Sequence, residues 1–156
     1  MGDEDLGMLT NLAFVVPGEP QGKGRARVGK VGGHARMFTP AKTVAYEGLV
    51  ALAAQQVMGA ASPLSGPLAI EIEAVHTIPA SWSKKRRNDA LSGAVRPTTK
   101  PDWDNIGKAV SDGGNGIAWV DDRQIVDARV IRRYGETPGV WVRVATLGED
   151  TTRGLP

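Results

Sequence analysis

The sequence predicts an α/β fold of the α+β kind: a single small domain with a mixed β-sheet of about four or five strands, one long helix and one or two short ones. Three observations predict it. Residues 40–58 carry apolar side chains at helical spacing, residues 68–75 and 140–147 alternate with period two, and helix-like and strand-like segments interleave along the chain. With 156 residues, 41% hydrophobic and 23% charged, the chain suffices for one ordinary core and not for two.

Residues 1–10 read as a flexible leader, 11–148 as the folded domain and 149–156 as a tail. Asn11 to Val16 is a short apolar run stopped by Pro17-Gly18, a first strand or the start of a hairpin. Gly18 to Gly33 reads as a flexible turn or hairpin tip, and His34 to Thr39 as the returning strand. Thr39-Pro40 opens a helix as N-cap and first-turn proline. Val44, Ala45, Leu49, Leu52, Ala53 and Val57 continue it to Gly59, and this stripe is expected to face the core. After the connection Ala60–Pro67, the strand Leu68–Val75 places Leu68, Ile70, Ile72 and Ala74 inward and leaves Glu71 and Glu73 to solvent.

Pro79 to Gly93 is expected to hold a short capped helix, with Trp82 anchoring it to the core. Asn105 to Asp112 follows as a helix, with Asp104 as N-cap, ended by Gly113-Gly114-Asn115-Gly116. Gln124–Tyr134 and Val140–Leu147 are two strands joined around residues 135–139.

Composition excludes several chemistries. With no cysteine and two histidines, disulfides, zinc–thiolate sites and thiol catalysis are ruled out. No apolar run approaches the ~20 residues of a membrane span, and the acidic start Met1-Gly2-Asp3-Glu4-Asp5 is unlike a signal peptide, so a cytoplasmic protein is expected. The net charge of +2 is unevenly spread. Residues 20–46 contain no acid but hold Lys23, Arg25, Arg27, Lys30, Arg36 and Lys42. From Thr77 to Pro101 the single acid Asp89 faces Lys84, Lys85, Arg86, Arg87, Arg96 and Lys100. Such segments suit a polyanion, and Lys23, Arg25, Arg27, Lys84, Lys85, Arg86, Arg87 and Lys100 are the candidate contacts. The plainer alternative is a set of solvated loops.

Between the basic segments and β-rich C-terminal third lies an acidic cluster: Asp102, Asp104, Lys108, Asp112, Asp121 and Asp122. Asp102 and Asp104, two apart, point to one side of an extended backbone, and Asp104, Lys108 and Asp112 share a helical face at i, i+4, i+8. Carboxylates at this density, with one lysine, suit Mg²⁺ and a phosphate, because Mg²⁺ takes oxygen ligands and completes its shell with water and substrate. Phosphodiester hydrolysis needs an activated water, neutralisation of charge at phosphorus and a stabilised leaving oxygen. An ordinary reading also exists: an i,i+4 ion-pair ladder worth ~0.3–0.5 kcal/mol per pair, and an Asp-Asp turn.

The string Lys100-Pro101-Asp102-Trp103-Asp104-Asn105-Ile106-Gly107-Lys108, with Asp112 and then Asp121-Asp122-Arg123-Gln124-Ile125-Val126, resembles the RusA family of Holliday-junction resolvases. The Pro-Gly-x-Pro-x-Gly-Lys-Gly-Arg stretch from Pro17 to Arg25, Phe38-Thr39-Pro40 and Ser81-Trp82-Ser83-Lys84-Lys85 resemble its phage-borne branch, so the likeness spans roughly residues 12 to 147. The resemblance implies a small α/β homodimer in the bacterial cytoplasm, possible phage or prophage origin included. It implies binding of four-way branched DNA and, with Mg²⁺ or Mn²⁺, symmetric nicking of two strands in recombination and repair. On that resemblance, Asp102, Asp104 and Asp122 match the metal-binding carboxylates and Lys108 the catalytic lysine. Asp121 supports the metal and Asp112 pairs with Lys108.

One departure stands out. Gly113-Gly114 follows Asp112 where the family commonly has Ala-Leu, and is expected to end the helix early and loosen its link to Asp121-Asp122. Two other functions stay open: a different metal-dependent nuclease or phosphohydrolase using the same acids, and a non-catalytic protein that binds branched DNA.

Overall fold

The computed structural model describes residues 10–24, 27–38 and 40–148. Six strands and three helices follow in chain order: β1 (Leu12–Pro17), β2 (Arg27–Val31), β3 (His34–Phe38), α1 (Ala41–Met58), β4 (Leu68–Thr77), α2 (Lys84–Ser92), α3 (Trp103–Gly114), β5 (Ile125–Gly135) and β6 (Gly139–Thr146). A single 3-10 turn, Asp122–Gln124, leads into β5. The fold is mixed α+β, as expected. Residues 1–9 of the predicted leader, the tail from residue 149 and Thr39 lie outside the described residues, and α1 begins at Ala41 with Pro40 at its N-cap rather than as its first residue.

β1, β6, β4 and β5 form one mixed sheet in that order; β6 runs antiparallel to both β1 and β4, while β5 runs parallel to β4. A parallel neighbour requires a crossover, and the chain makes it through α2 and α3. That excursion carries Asp102 to Asp112 over one face of the sheet. β5 and β6 are therefore consecutive in sequence without pairing, because β4 lies between them.

Leu12, Phe14 and Val16 of β1, Ile70, Ile72 and Ala74 of β4, and Val140, Val142 and Val144 of β6 build the core, each set at period two. Val50 and Ala54 of α1 and Ile106 and Val110 of α3 close over them. A satellite cluster of Ile78, Ala90 and Tyr134 docks α2, with Trp82 packed edge-on against Tyr134 at 5.2 Å between centroids. Trp82 is thus the anchor that the sequence suggested. Among the described residues no helix is long and apolar enough to cross a membrane.

Five expectations are corrected. The segment His34–Phe38 does return a hairpin, but to β2 and not to β1, across a two-residue Gly32-Gly33 loop in which both residues have positive φ. A loop of that kind favours glycine at both positions, since most L side chains are strained there. The long helix buries Thr43, Tyr46, Val50, Ala53, Ala54 and Met58, whereas Val44, Leu49, Leu52 and Val57 are exposed. Apolar residues on nearly every side of this helix give its period no clear phase.

Glu71 and Glu73 are buried rather than solvated. They lie on the sheet face opposite α1 and α3, where Arg143 and Arg129 reach Glu71 and Arg133 reaches Glu73. On a central strand, arginines from the flanking strands pair with the acids and balance their charge, although Glu71 Oε2 makes no hydrogen bond and has Arg129 at 3.8 Å. α3 starts at Trp103, so its N-cap is Asp102 rather than Asp104.

Gly113 and Gly114, finally, do not break α3; both are helical and buried. A Cβ on Gly113 would stand 2.6 Å from Cβ of Val50 in α1, and one on Gly114 2.4 Å from Cζ2 of Trp119. Trp119 is fully buried and donates its Nε1–H to Ser111 O and Asn115 Oδ1, both at 3.0 Å. The two glycines bring α3 close to α1 and to the Trp119 ring, and so tie the helix to the segment before Asp121 instead of loosening it.

Candidate active site

α3 owes its direction to its apolar face: Ile106, Ala109 and Val110 face the sheet, leaving Asp104 and Lys108 on the exposed side. Asp102, the N-cap, has extended backbone and an exposed side chain that makes no capping hydrogen bond, so its carboxylate is not spent on the helix. Asp104 lies in the first turn. One turn later the Lys108 ammonium is held by two acids, Asp112 Oδ1 at 3.0 Å and Asp122 Oδ2 at 2.9 Å. The hydrogen bonds it donates to Asp122, then to Asp112, raise the pKa of Lys108 above 10.5 and keep it protonated at neutral pH.

Asp104, Lys108 and Asp122 line one cleft of about 270 Å³, together with Trp103, Gly107, Ser111 and the apolar floor Ile70, Ile72, Ile125, Ala128 and Val130. The floor belongs to β4 and β5, the acidic wall to α3 and the turn before β5. Of the ladder Asp104, Lys108, Asp112, the Lys108–Asp112 rung forms, and its lysine also spans to a second element.

Asp121 sits within side-chain reach of Asp122 but spends much of its carboxylate on Arg123. Its Oδ1 accepts from the Arg123 backbone N–H at 2.9 Å and Arg123 Nε at 3.1 Å, and it borders a separate depression with Ser65, Gly66 and Gln124. The Arg123 backbone hydrogen bond, foremost, lowers its pKa. Gln124 completes this turn: its Oε1 accepts from the Asp121 N–H, and its Nε2 donates to the Leu64 and Gly66 carbonyls. Asp121 thus orders the turn that presents Asp122.

The basic candidates separate into groups. Lys84, Lys85, Arg86 and Arg87 form the exposed first turn of α2, with Ser83 Oγ accepting from the Arg86 N–H and the Arg86 guanidinium 3.9 Å from the Trp82 ring centroid. Lys100 is exposed two residues before Asp102. Arg27 opens the β2–β3 ribbon, and Arg25 lies outside the described residues. Lys23 is not a free basic side chain: its Nζ is 2.5 Å from Glu47 Oε1 and 3.2 Å from Asp112 Oδ2.

Three residues escaped the sequence reading. Glu47 is the one acid of α1, a clue of isolation without a spatial partner. Trp103, 65% exposed on the cleft wall, lies between two aspartates and carried no periodic signal. Ser111 lines the same cleft from the next turn of α3.

The matching family description is Endodeoxyribonuclease RusA, over residues 17–145. The uncharacterized protein YqaN of Bacillus subtilis (strain 168) is 38% identical over 135 residues, spanning 85% of this chain and 94% of that protein. All three helices, β2 to β5, β6 up to its last residue and the acidic cleft fall within the matched span, which starts at the end of β1, and the chain belongs to the RusA endodeoxyribonuclease family.

Proposed function

We propose that this chain is a Mg²⁺-dependent Holliday-junction resolvase acting as a homodimer, which cuts two strands of a four-way DNA junction by hydrolysing one phosphodiester in each. The observation that carries the reading is the Lys108 ammonium gripped by Asp122 in a cleft that Asp104 also lines. Symmetric paired cuts call for two sites related by a two-fold axis, which a C2 dimer supplies.

The donor set fits a hard divalent ion. The cleft offers carboxylate oxygens, and the chain has no thiol to compete. Among the described residues no three acids or histidines are gathered closely enough to enclose a metal alone. Such a cage is not required for Mg²⁺, which usually takes one or two protein carboxylates and fills its remaining positions with water and phosphate oxygens. Asp104 and Asp122 line the cleft and would hold it, and Asp102, whose carboxylate makes no capping hydrogen bond, is the third acid proposed as a ligand. When bound, the ion supplies an activated water and neutralises charge at phosphorus.

The chain's own groups do the rest. Lys108, protonated and half-exposed, places a positive charge at the mouth of the cleft, where it stabilises the charge that builds on the phosphoryl oxygens or the departing alkoxide. The apolar floor limits water beside the reacting phosphate. Trp103 offers a ring on which a base or sugar can stack at the cut site. The exposed basic first turn of α2 would supply phosphate contacts.

A gel assay on labelled four-way junction and matched linear duplex, with Mg²⁺ or EDTA, tests the reading. Paired nicks in the junction alone, lost with EDTA and in Asp104→Asn, are expected. Equal cutting of linear duplex favours a general nuclease, and metal-independent binding without any cut favours a non-catalytic junction binder.

A further inference from the structure

We infer that Lys23 and Glu47 are positioning residues for Lys108, acting through Asp112; the inference rests on the reading of the cleft as a nuclease site. Five side chains form a line of alternating charge: Glu47 on α1, Lys23 on the segment before the ribbon, Asp112 and Lys108 on α3, and Asp122 on the turn before β5. The two oxygens of Asp112 divide the work, Oδ2 toward Lys23 at 3.2 Å and Oδ1 toward Lys108 at 3.0 Å.

Lys108 is the one open member of this line: the side chains of Glu47, Lys23, Asp112 and Asp122 are 23%, 27%, 18% and 24% exposed, while Lys108 is 53% exposed. Its neighbours are shielded enough to hold a fixed geometry, and Lys108 is open enough to meet a substrate. Asp122 is also a proposed metal ligand, so Asp112 is the acid whose hold on Lys108 does not depend on the metal. Fixing Asp112 from behind then fixes the ammonium.

The backbone around Lys23 is built for this reach. The Lys23 N–H donates to Asn105 O at 3.0 Å, and the Gly24 N–H to Thr43 Oγ1 at 2.9 Å, which ties the segment to α3 and to α1. A Cβ on Gly22 would stand 2.8 Å from Pro101 Cβ, and one on Gly24 2.6 Å from Thr43 Oγ1. Only glycine on both sides lets the chain pass this close to the starts of α1 and α3. Gly22-Lys23-Gly24 thus delivers one ammonium to the back of Asp112, where the sequence suggested a loop gripping DNA.

The test uses the full-length protein. Lys23→Ala is expected to lower the single-turnover cleavage rate at saturating junction on the order of tenfold, since small displacements of a reacting group can cost up to ~10². Junction affinity in EDTA and its salt dependence should not change. Glu47→Gln should act in the same direction, Lys23→Arg should restore part of the rate, and Lys23→Ala added to Asp112→Asn should cost nothing more. Weakened binding with a flatter salt slope and an unchanged saturated rate would make Lys23 a DNA contact and overturn the inference, as would additive losses with Asp112→Asn.

A second readout is independent of activity. In NMR spectra of the metal-free protein the two ε-methylene protons of Lys108 should be distinct while the ammonium is held, and should merge in Lys23→Ala and Glu47→Gln. Unchanged signals overturn the inference even in an active enzyme. Absence of cleavage by the wild type, with the Lys108 signals still responding, sinks the nuclease reading alone.

Discussion

Lys108 Nζ lies 2.9 Å from Asp122 Oδ2, a contact made across 14 residues of chain that joins the middle of α3 to the turn before β5. It is the shortest statement of what the crossover between the parallel strands β4 and β5 accomplishes. The helix brings the lysine, the strand entrance brings the acid, and Asp121 with Gln124 keeps that entrance in shape.

Replacing Lys108 with Ala removes the charge but none of the oxygen ligands. Cleavage of the junction should slow by about 10²–10³, the usual cost of losing one preorganised stabilising group. Mg²⁺ or Mn²⁺ affinity, followed by titration calorimetry, should hold or rise slightly, because Asp122 no longer has a competing cation. A collapse of metal affinity would show that the lysine organises the acids rather than the reaction.

Gly113→Ala and Gly114→Ala test the packing of α3. Inside an open helix Ala is favoured over Gly by about 0.8–1.0 kcal/mol. Here each new methyl would enter occupied space, 2.6 Å from Val50 Cβ or 2.4 Å from Trp119 Cζ2. Overpacking typically costs ~1–3 kcal/mol, so a net loss is expected in both variants by urea unfolding. A stabilised protein would mean that the helix is free to shift and that the glycines are not a packing requirement.

What could be read from the chain follows from the kind of signal each element leaves. β4 and β6 alternate cleanly, so their core faces were legible, and the stretch from Pro79 to Gly93 announced a short capped helix, whose start at Ser83 only the fold defines. The i, i+4, i+8 ladder put Asp104, Lys108 and Asp112 together because one helix suffices to do it. The burial of α1 was not legible, since Val44 and Leu52 are as apolar as Tyr46 and Val50 and only tertiary contact chooses between them. Glu71 and Glu73 misled for a related reason: alternation says which side a residue faces, not whether arginines from β5 and β6 cover that side. Lys23 read as one of many basic residues because Glu47, 24 positions away, becomes its neighbour only in the fold.

His76 supplies a pH dependence. It is buried on β4, and Arg132 Nε donates to its Nε2 at 3.3 Å. Burial first, then the Arg132 charge, holds its pKa below 6.5, with Glu19 at 3.7 Å from Nδ1 pulling the other way. A depressed folded-state pKa means that the unfolded chain takes up the proton first as pH falls. Stability owed to neutral His76 is therefore present above 6.5 and is lost as pH drops from there toward the folded-state value, at up to ~1.4 kcal/mol per pH unit. Urea unfolding at several pH values should show a smaller loss in His76→Gln than in the wild type over that window. Parallel curves for the two proteins would assign the acid sensitivity to other groups.

The first turn of α2 sets helix stability against binding. Lys84, Lys85, Arg86 and Arg87 stand at a helix N-terminus, where the macrodipole disfavours cations by roughly 0.3–1 kcal/mol each, and no acid in that turn offsets them. Such an arrangement makes physical sense when a polyanion lies against it. Arg86 also covers the Trp82 ring, so the informative variant changes Lys84, Lys85 and Arg87 to Gln and leaves Arg86 in place. That triple variant should unfold at the same or a slightly higher temperature, bind a four-way junction more weakly, and flatten the plot of log affinity against log salt by up to ~0.9 per lost phosphate contact. Cleavage at saturating junction should persist, since the Asp104–Lys108–Asp122 cleft is untouched. An unaltered salt slope would make this turn a solvated surface and leave the β2–β3 ribbon and Lys100 as the remaining candidates for holding the DNA.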